Sequence, residues 1–156
     1  MDLYLALKWV HVLSAAVLFG TGLGIAFFMW LACRSGDVAG VAATARIVVV
    51  ADFLFTLPAV AVQPVSGFWL VHESGYALTE AWLLLSLALY VLIGACWVPV
   101  VFMQIRARDL AVAARATGRS LPPAFHRIMR RWFWLGWPAF LSVLAIYLLM
   151  VFKPAF

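Results

Sequence analysis

Charge is what this chain has least of: 11% of its 156 residues are Asp, Glu, Lys or Arg, and only 6 of those are acidic. A soluble globular domain carries roughly a quarter charged residues, so a water-facing surface of ordinary size is excluded. Cysteine is scarce too. Cys33 and Cys96 are the only two. One falls at the end of an apolar run and the other inside a second run, so neither a disulfide framework nor a Cys-rich metal site is expected. There is no nucleotide-binding glycine loop, no nucleophile elbow and no zinc-type spacing. These absences remove the common soluble enzyme classes that carry a local signature.

What remains is apolar. Hydrophobic residues make up 67% of the chain, and the mean hydropathy is +1.08. Four continuous stretches, about 3–33, 46–72, 80–105 and 131–152, reach the ~20 residues needed to cross a hydrocarbon core as a helix. Their hydropathy does not alternate, which points to helices and not to the strands of an outer-membrane barrel. The expected fold is all-α, a polytopic membrane four-helix bundle forming one domain over residues 1–156. The first run is too long for a signal peptide and lacks a basic leader, so a retained helix is expected.

The connections differ in charge. Arg34 and Arg46 flank the first, and Arg106, Arg108, Arg115, Arg119, Arg127, Arg130 and Arg131 fill the third, whereas the second, HESGYALTE, carries acids and a His. The positive-inside rule then puts the first and third connections in the cytoplasm and both termini outside, in a bacterial inner membrane. The basic loop has lipid headgroups as its partner, so the pI of about 9.8 calls for no nucleic acid. Asp52 is expected near the cytoplasmic end of the second span, neutralised by Arg46, Arg130 or Arg131.

The stretch KWVHVLS places Lys8 and His11 one helical turn apart in the first run. At about 1.5 Å per residue His11 lies roughly 10–12 Å inside the outer end of its helix. Lys8 can snorkel to the surface; His11 cannot. On the second span, running outward, Gln63 reaches the depth of His11, followed by Pro64, Ser66 and Gly67, with His72 at the mouth. Tyr90 and Ser86 on the third span, and Ser142 and Tyr147 on the fourth, fall in the same zone. An ionisable residue inside a span marks a candidate site, although a lone His also serves as an interhelical hydrogen-bond partner. Neutral imidazole is a common axial ligand of haem iron, and a Lys one turn toward the wet end suits a propionate. For a second ligand His72 is the best candidate by chemistry, though far from His11 at the helix mouth; Gln63, Tyr90 or no protein ligand are the alternatives. His126, in the approach to the last span, belongs to the opposite face. Trp9, Trp69, Trp82 and Trp97 suit an interfacial belt or the wall of a pocket, and Gly20 with TGLG (residues 21–24) suits close helix packing or the approach of a flat macrocycle.

KWVHVLSAAVLFGTGLG resembles the first helix of the HemJ-type protoporphyrinogen oxidases and of the CopD-type copper-resistance membrane proteins. RRWFWLGWPAFLSVLAIYLLMVFKP resembles the HemJ ending. With the middle segment FLFTLPAVAVQPVSG, the whole chain is similar to an uncharacterised DUF family of short integral membrane proteins related to both. The resemblance implies a four-helix bundle that binds haem b, with His11 in the position of the ligand histidine. The chain also departs from the HemJ pattern. Leu135-Gly136-Trp137-Pro138 stands where that family has Asn-Glu-x-Pro, and no Lys occurs between Ala81 and Val101, which speaks against protoporphyrinogen oxidation itself. Three functional expectations follow. The first is haem b held around His11 with an electron-transfer or oxidoreductase role. The second is a copper-handling or transport-accessory protein using His11, His72 and Met150. The third is a structural subunit, paired with another membrane protein or with its own copy.

Overall fold

The computed structural model describes residues 2–154, which form helices and no strand. Helix α1 spans Leu3–Ser35, α2 Val38–Ala51, α3 Leu57–Glu73, α4 Ala81–Ala116 and α5 Pro123–Phe152. A π-helical turn, Asp52–Thr56, joins α2 to α3, so Val38–Glu73 is one unbroken rod and four rods are long and apolar enough to span a membrane. The all-α bundle is therefore present as expected.

The helices outrun the hydrophobic stretches. At 1.5 Å per residue α4 is about 54 Å long against a hydrocarbon core of about 30 Å, and its last turns carry Arg106, Arg108 and Arg115. The link from α1 to α2 is two residues. Gly36 takes the left-handed conformation (φ 71°) that closes α1. Asp37 then caps α2 by accepting hydrogen bonds from the Ala39 and Gly40 amides, both at 2.9 Å. A side chain at position 40 would put its Cβ 2.8 Å from Asp37 Oδ2, so the Asp37 carboxylate would have to shift to keep this cap. Pro122 and Pro123 start α5, where a missing amide proton costs nothing.

Packing is uneven along the bundle. At the arginine-bearing end all four rods meet in one core, with Met29 of α1, Val41 and Ala45 of α2, Ala107 and Ala111 of α4, and Phe125 of α5. Alanines at Ala42, Ala45, Ala107, Ala111 and Ala114 bring α2 and α4 together. The small-residue seam therefore lies there, and not at Gly20–Gly24 of α1: a Cβ added at Gly20 or Gly22 would meet no atom within 4 Å. Toward the chain termini α3 packs along α1, and α4 along α5. A small cluster of Val71, Trp82, Leu83 and Leu149 closes that end. There Lys153 Nζ donates to the Tyr76 hydroxyl (3.0 Å) and sits 4.5 Å from the Tyr76 ring centroid.

Two prolines inside the second rod shape it. Pro58 offers no amide proton to Leu54 O and crowds it. The π turn spans this position, with the Leu57 amide reaching back to Asp52 O. Pro64 leaves Val60 O without its α-helical donor in the same way, and the Tyr90 hydroxyl of α4 donates to that carbonyl.

Asp52 is not where the sequence placed it. Because α2 begins at Val38, Asp52 stands about 21 Å of helix rise into the rod. Arg46, Arg130 and Arg131 are all exposed, and the only ion pair among the described residues is Arg108–Asp109 at 2.8 Å.

Candidate functional site around His11

His11 lies on the face of α1 that packs against α3. Its Nδ1 is 2.9 Å from Ser66 Oγ. Ser66 has a single hydroxyl proton, which it donates to Val62 O at 2.7 Å, with Gln63 O at 3.2 Å as a weaker second acceptor. With its proton on Val62 O, Ser66 would accept from Nδ1–H, the tautomer in which Nε2 keeps its lone pair. Gln63 completes the seam. Its Nε2 donates to His11 O and to Ser14 Oγ, both at 2.8 Å, while Ser14 Oγ donates to His11 O at 3.1 Å.

Space at the seam is tight. A Cβ at position 67 would come within 3.2 Å of His11 Cε1, so Gly67 allows the imidazole to lie against α3. Ser14 and Ser66 are buried and His11 is half-buried. Ser14, three residues after His11 on the same helix face, belongs to the seam but was not singled out from the sequence. The spacing His-x-x-Ser was its only signal.

The other predicted residues sit apart from this seam or are already engaged. Lys8 is exposed, with its ammonium 5.9 Å from the ring centroid of Tyr4 on its own helix. The Tyr90 hydroxyl is committed to Val60 O, and the Gln63 amide to α1. His72 is exposed in the last turn of α3, about 9 Å of rise beyond Ser66. Among the described residues no three His, Cys, Asp or Glu side chains converge on a possible metal position. Ser86 bonds its own helix at Trp82 O, and Tyr147 packs edge-on against Phe19. His126 is exposed near the start of α5, at the arginine-bearing end. Trp9 and Trp69 are exposed, as interfacial residues would be; Trp82 is buried in the terminal cluster; and Trp97 turns its indole nitrogen into the bundle beside Asp52.

For haem, the arrangement offers one ligand. An axial histidine needs one nitrogen free and the other held by an acceptor, which the Nδ1–H tautomer of His11 beside Ser66 would provide. Because the macrocycle brings its own four nitrogens, a single histidine suffices. A bare copper ion would take every ligand from side chains, and His72 does not join His11.

No curated protein and no solved structure matches the chain. A family model described as "Predicted integral membrane protein (DUF2269)" matches residues 5–154, and the chain belongs to that family of integral membrane proteins.

Proposed function

We propose that this four-span protein holds haem b through Nε2 of His11, on the side of the bundle away from the arginine-bearing end. The observation that carries the reading is the 2.9 Å contact between His11 Nδ1 and Ser66 Oγ, which supports the Nδ1–H tautomer with Nε2 as the ligand atom. The resemblance of the first and last helices to the HemJ and CopD types supports the same cofactor. The missing acidic and lysine positions direct the role toward electron transfer or oxidation of another membrane-borne substrate.

Haem would supply one-electron chemistry that the protein's own side chains lack. The chain's part is to orient the ligand. Ser66 holds the ring, Gln63 and Ser14 lock the His11 backbone against α3, and Gly67 gives the ring room. Lys8, one turn nearer the terminus and not paired with a carboxylate, is available to a propionate. Tyr90 leaves the ligand set, because its hydroxyl is consumed by Val60 O; Gln63 is anchored to α1 through its Nε2.

That consumption favours a second reading, in which the seam is an interhelical clamp in a structural subunit. Purified protein reconstituted with haem separates the two. His11→Ala is expected to abolish the haem absorption band and His126→Ala to leave it unchanged, whereas Ser66→Ala should shift the band and loosen retention. Wild-type protein that acquires no band, or equal loss in both histidine variants, would leave the clamp as the function.

We also place the arginine-bearing end in the cytoplasm, which sets the His11 half toward the outer leaflet. The contrast between the arginine-rich third connection and HESGYALTE motivates this. A cysteine at Ser74 should react with an impermeant thiol reagent in intact cells, and one at Arg119 only after lysis. The opposite pattern reverses the topology.

A further inference from the structure

The second polar cluster of the molecule surrounds Asp52, in the other half of the bundle from His11. Asp52 is 4% exposed, Thr56 6%, Gln104 6% and Trp132 6%. Asp52 Oδ2, Thr56 Oγ1, Gln104 Oε1 and the indole nitrogens of Trp97 and Trp132 are all buried without a hydrogen-bond partner. Native proteins leave few such groups, and four of these five gather at one π turn. Thr56, Gln104 and Trp97 lie beside the Asp52 carboxyl. One small apolar-lined space touches Asp52 and a second lies beyond Gln104. One, of about 10 Å³, is lined by Asp52, Leu57 and Trp97, and the other, also about 10 Å³, by Gln104, Met129 and Trp132. Each has room for about one water molecule and nothing larger.

No countercharge faces Asp52. On its own rod Arg46 is exposed. From α4 it meets Gln104 and Trp97, and on α5 Arg130 and Arg131 are exposed, as is Arg34 at the end of α1. An ionised carboxylate with no paired cation inside a span is strongly disfavoured. The unpartnered set also mixes acceptors with N–H donors. A desolvated alkali cation would satisfy only the acceptors. A neutral carboxyl satisfies both kinds, since its O–H donates to Gln104 Oε1 or a water while its carbonyl oxygen accepts from Trp97. π turns recur where a helix carries such a site.

We propose that Asp52, with Thr56, Trp97 and Gln104, is a proton-binding site at mid-rod, in which the carboxyl takes up and releases one proton. The exchange is COO⁻ plus H⁺ to COOH, with no redox partner. It is independent of His11 and of any cofactor there.

Infrared spectroscopy of the full chain in lipid nanodiscs tests this. The other five acidic residues, Asp2, Asp37, Glu73, Glu80 and Asp109, are exposed, so a buried carboxylic-acid C=O band belongs to Asp52. At neutral pH the wild-type spectrum should contain that band. It should move down in D₂O and be lost in Asp52→Asn, whose amide replaces the neutral acid without a charge. Gln104→Leu keeps the acid and removes its neighbour, so the band should move to higher frequency; this variant carries the test if Asp52→Asn does not fold. A carboxylate pair of bands at neutral pH in place of the C=O band would overturn the proposal. So would an unshifted band in Gln104→Leu, or a C=O band that appears only when Na⁺ is replaced by choline, which would make the occupant an alkali cation.

Discussion

Phe125→Ala is expected to cost about 3–5 kcal/mol of bundle stability, the range for removing a buried aromatic from a core that cannot collapse, whereas Trp134→Ala should change it by under ~0.5 kcal/mol. Phe125 is fully buried at 0% exposure, and Trp134 is 73% exposed. Size does not explain the contrast, since tryptophan is the larger residue. Inside a bilayer an exposed side chain trades protein for lipid tails at little cost, and no hydrophobic drive pulls helices together there. Phe125 sits six residues before the apolar stretch of α5 begins, in the arginine-bearing region where the rods emerge from the hydrocarbon. Burial from water contributes there, as does packing against Val41, Ala107 and Ala111. Reversible unfolding of both variants in mixed micelles measures the difference. Equal losses would mean that the core at this end does not anchor the fold.

Run length was the most legible part of the sequence. A backbone in hydrocarbon must satisfy every amide internally, so a continuous apolar stretch leaves little choice but a helix, and four stretches became four spanning rods. Their ends were less legible. Hydropathy falls where the arginines start, but helix formation continues until a cap stops it. Asp37 and Gly36 mark the true ends near the first connection. Beginning the second rod at residue 46 instead of Val38 is what drew Asp52 toward a basic surface it does not reach.

The level of His11 with Gln63 and Ser66 could be counted from rise per residue, because the two helices run antiparallel across one short connection. Which way the side chains turn could not be counted. The rotation of α1 directs His11 to α3 and leaves Lys8 and the glycines at 20 and 22 on open faces. Gln104 and Trp132 gave no signal in the sequence, since one polar residue and one tryptophan in a span read as tolerated exceptions until the rods are assembled around Asp52.

Tyr90 shows how a side chain that looks like a ligand can instead be an answer to a proline. Pro64 cannot donate to Val60 O, and the Tyr90 hydroxyl does so from the neighbouring rod. Tyr90→Phe should therefore destabilise the wild-type chain by about 1–2 kcal/mol, within the range for interhelical hydrogen bonds in bilayers and for a buried carbonyl left unpaired. In a Pro64→Ala background the amide of residue 64 can bond Val60 O itself, and the same Tyr90→Phe change should cost almost nothing. The two substitutions form a double-mutant cycle whose coupling energy isolates this one carbonyl. A ligand tyrosine would behave differently: its loss would alter the haem band of reconstituted protein whatever residue 64 is. Equal destabilisation by Tyr90→Phe in both backgrounds would show that the phenol contributes through packing, and that Val60 O finds its partner elsewhere.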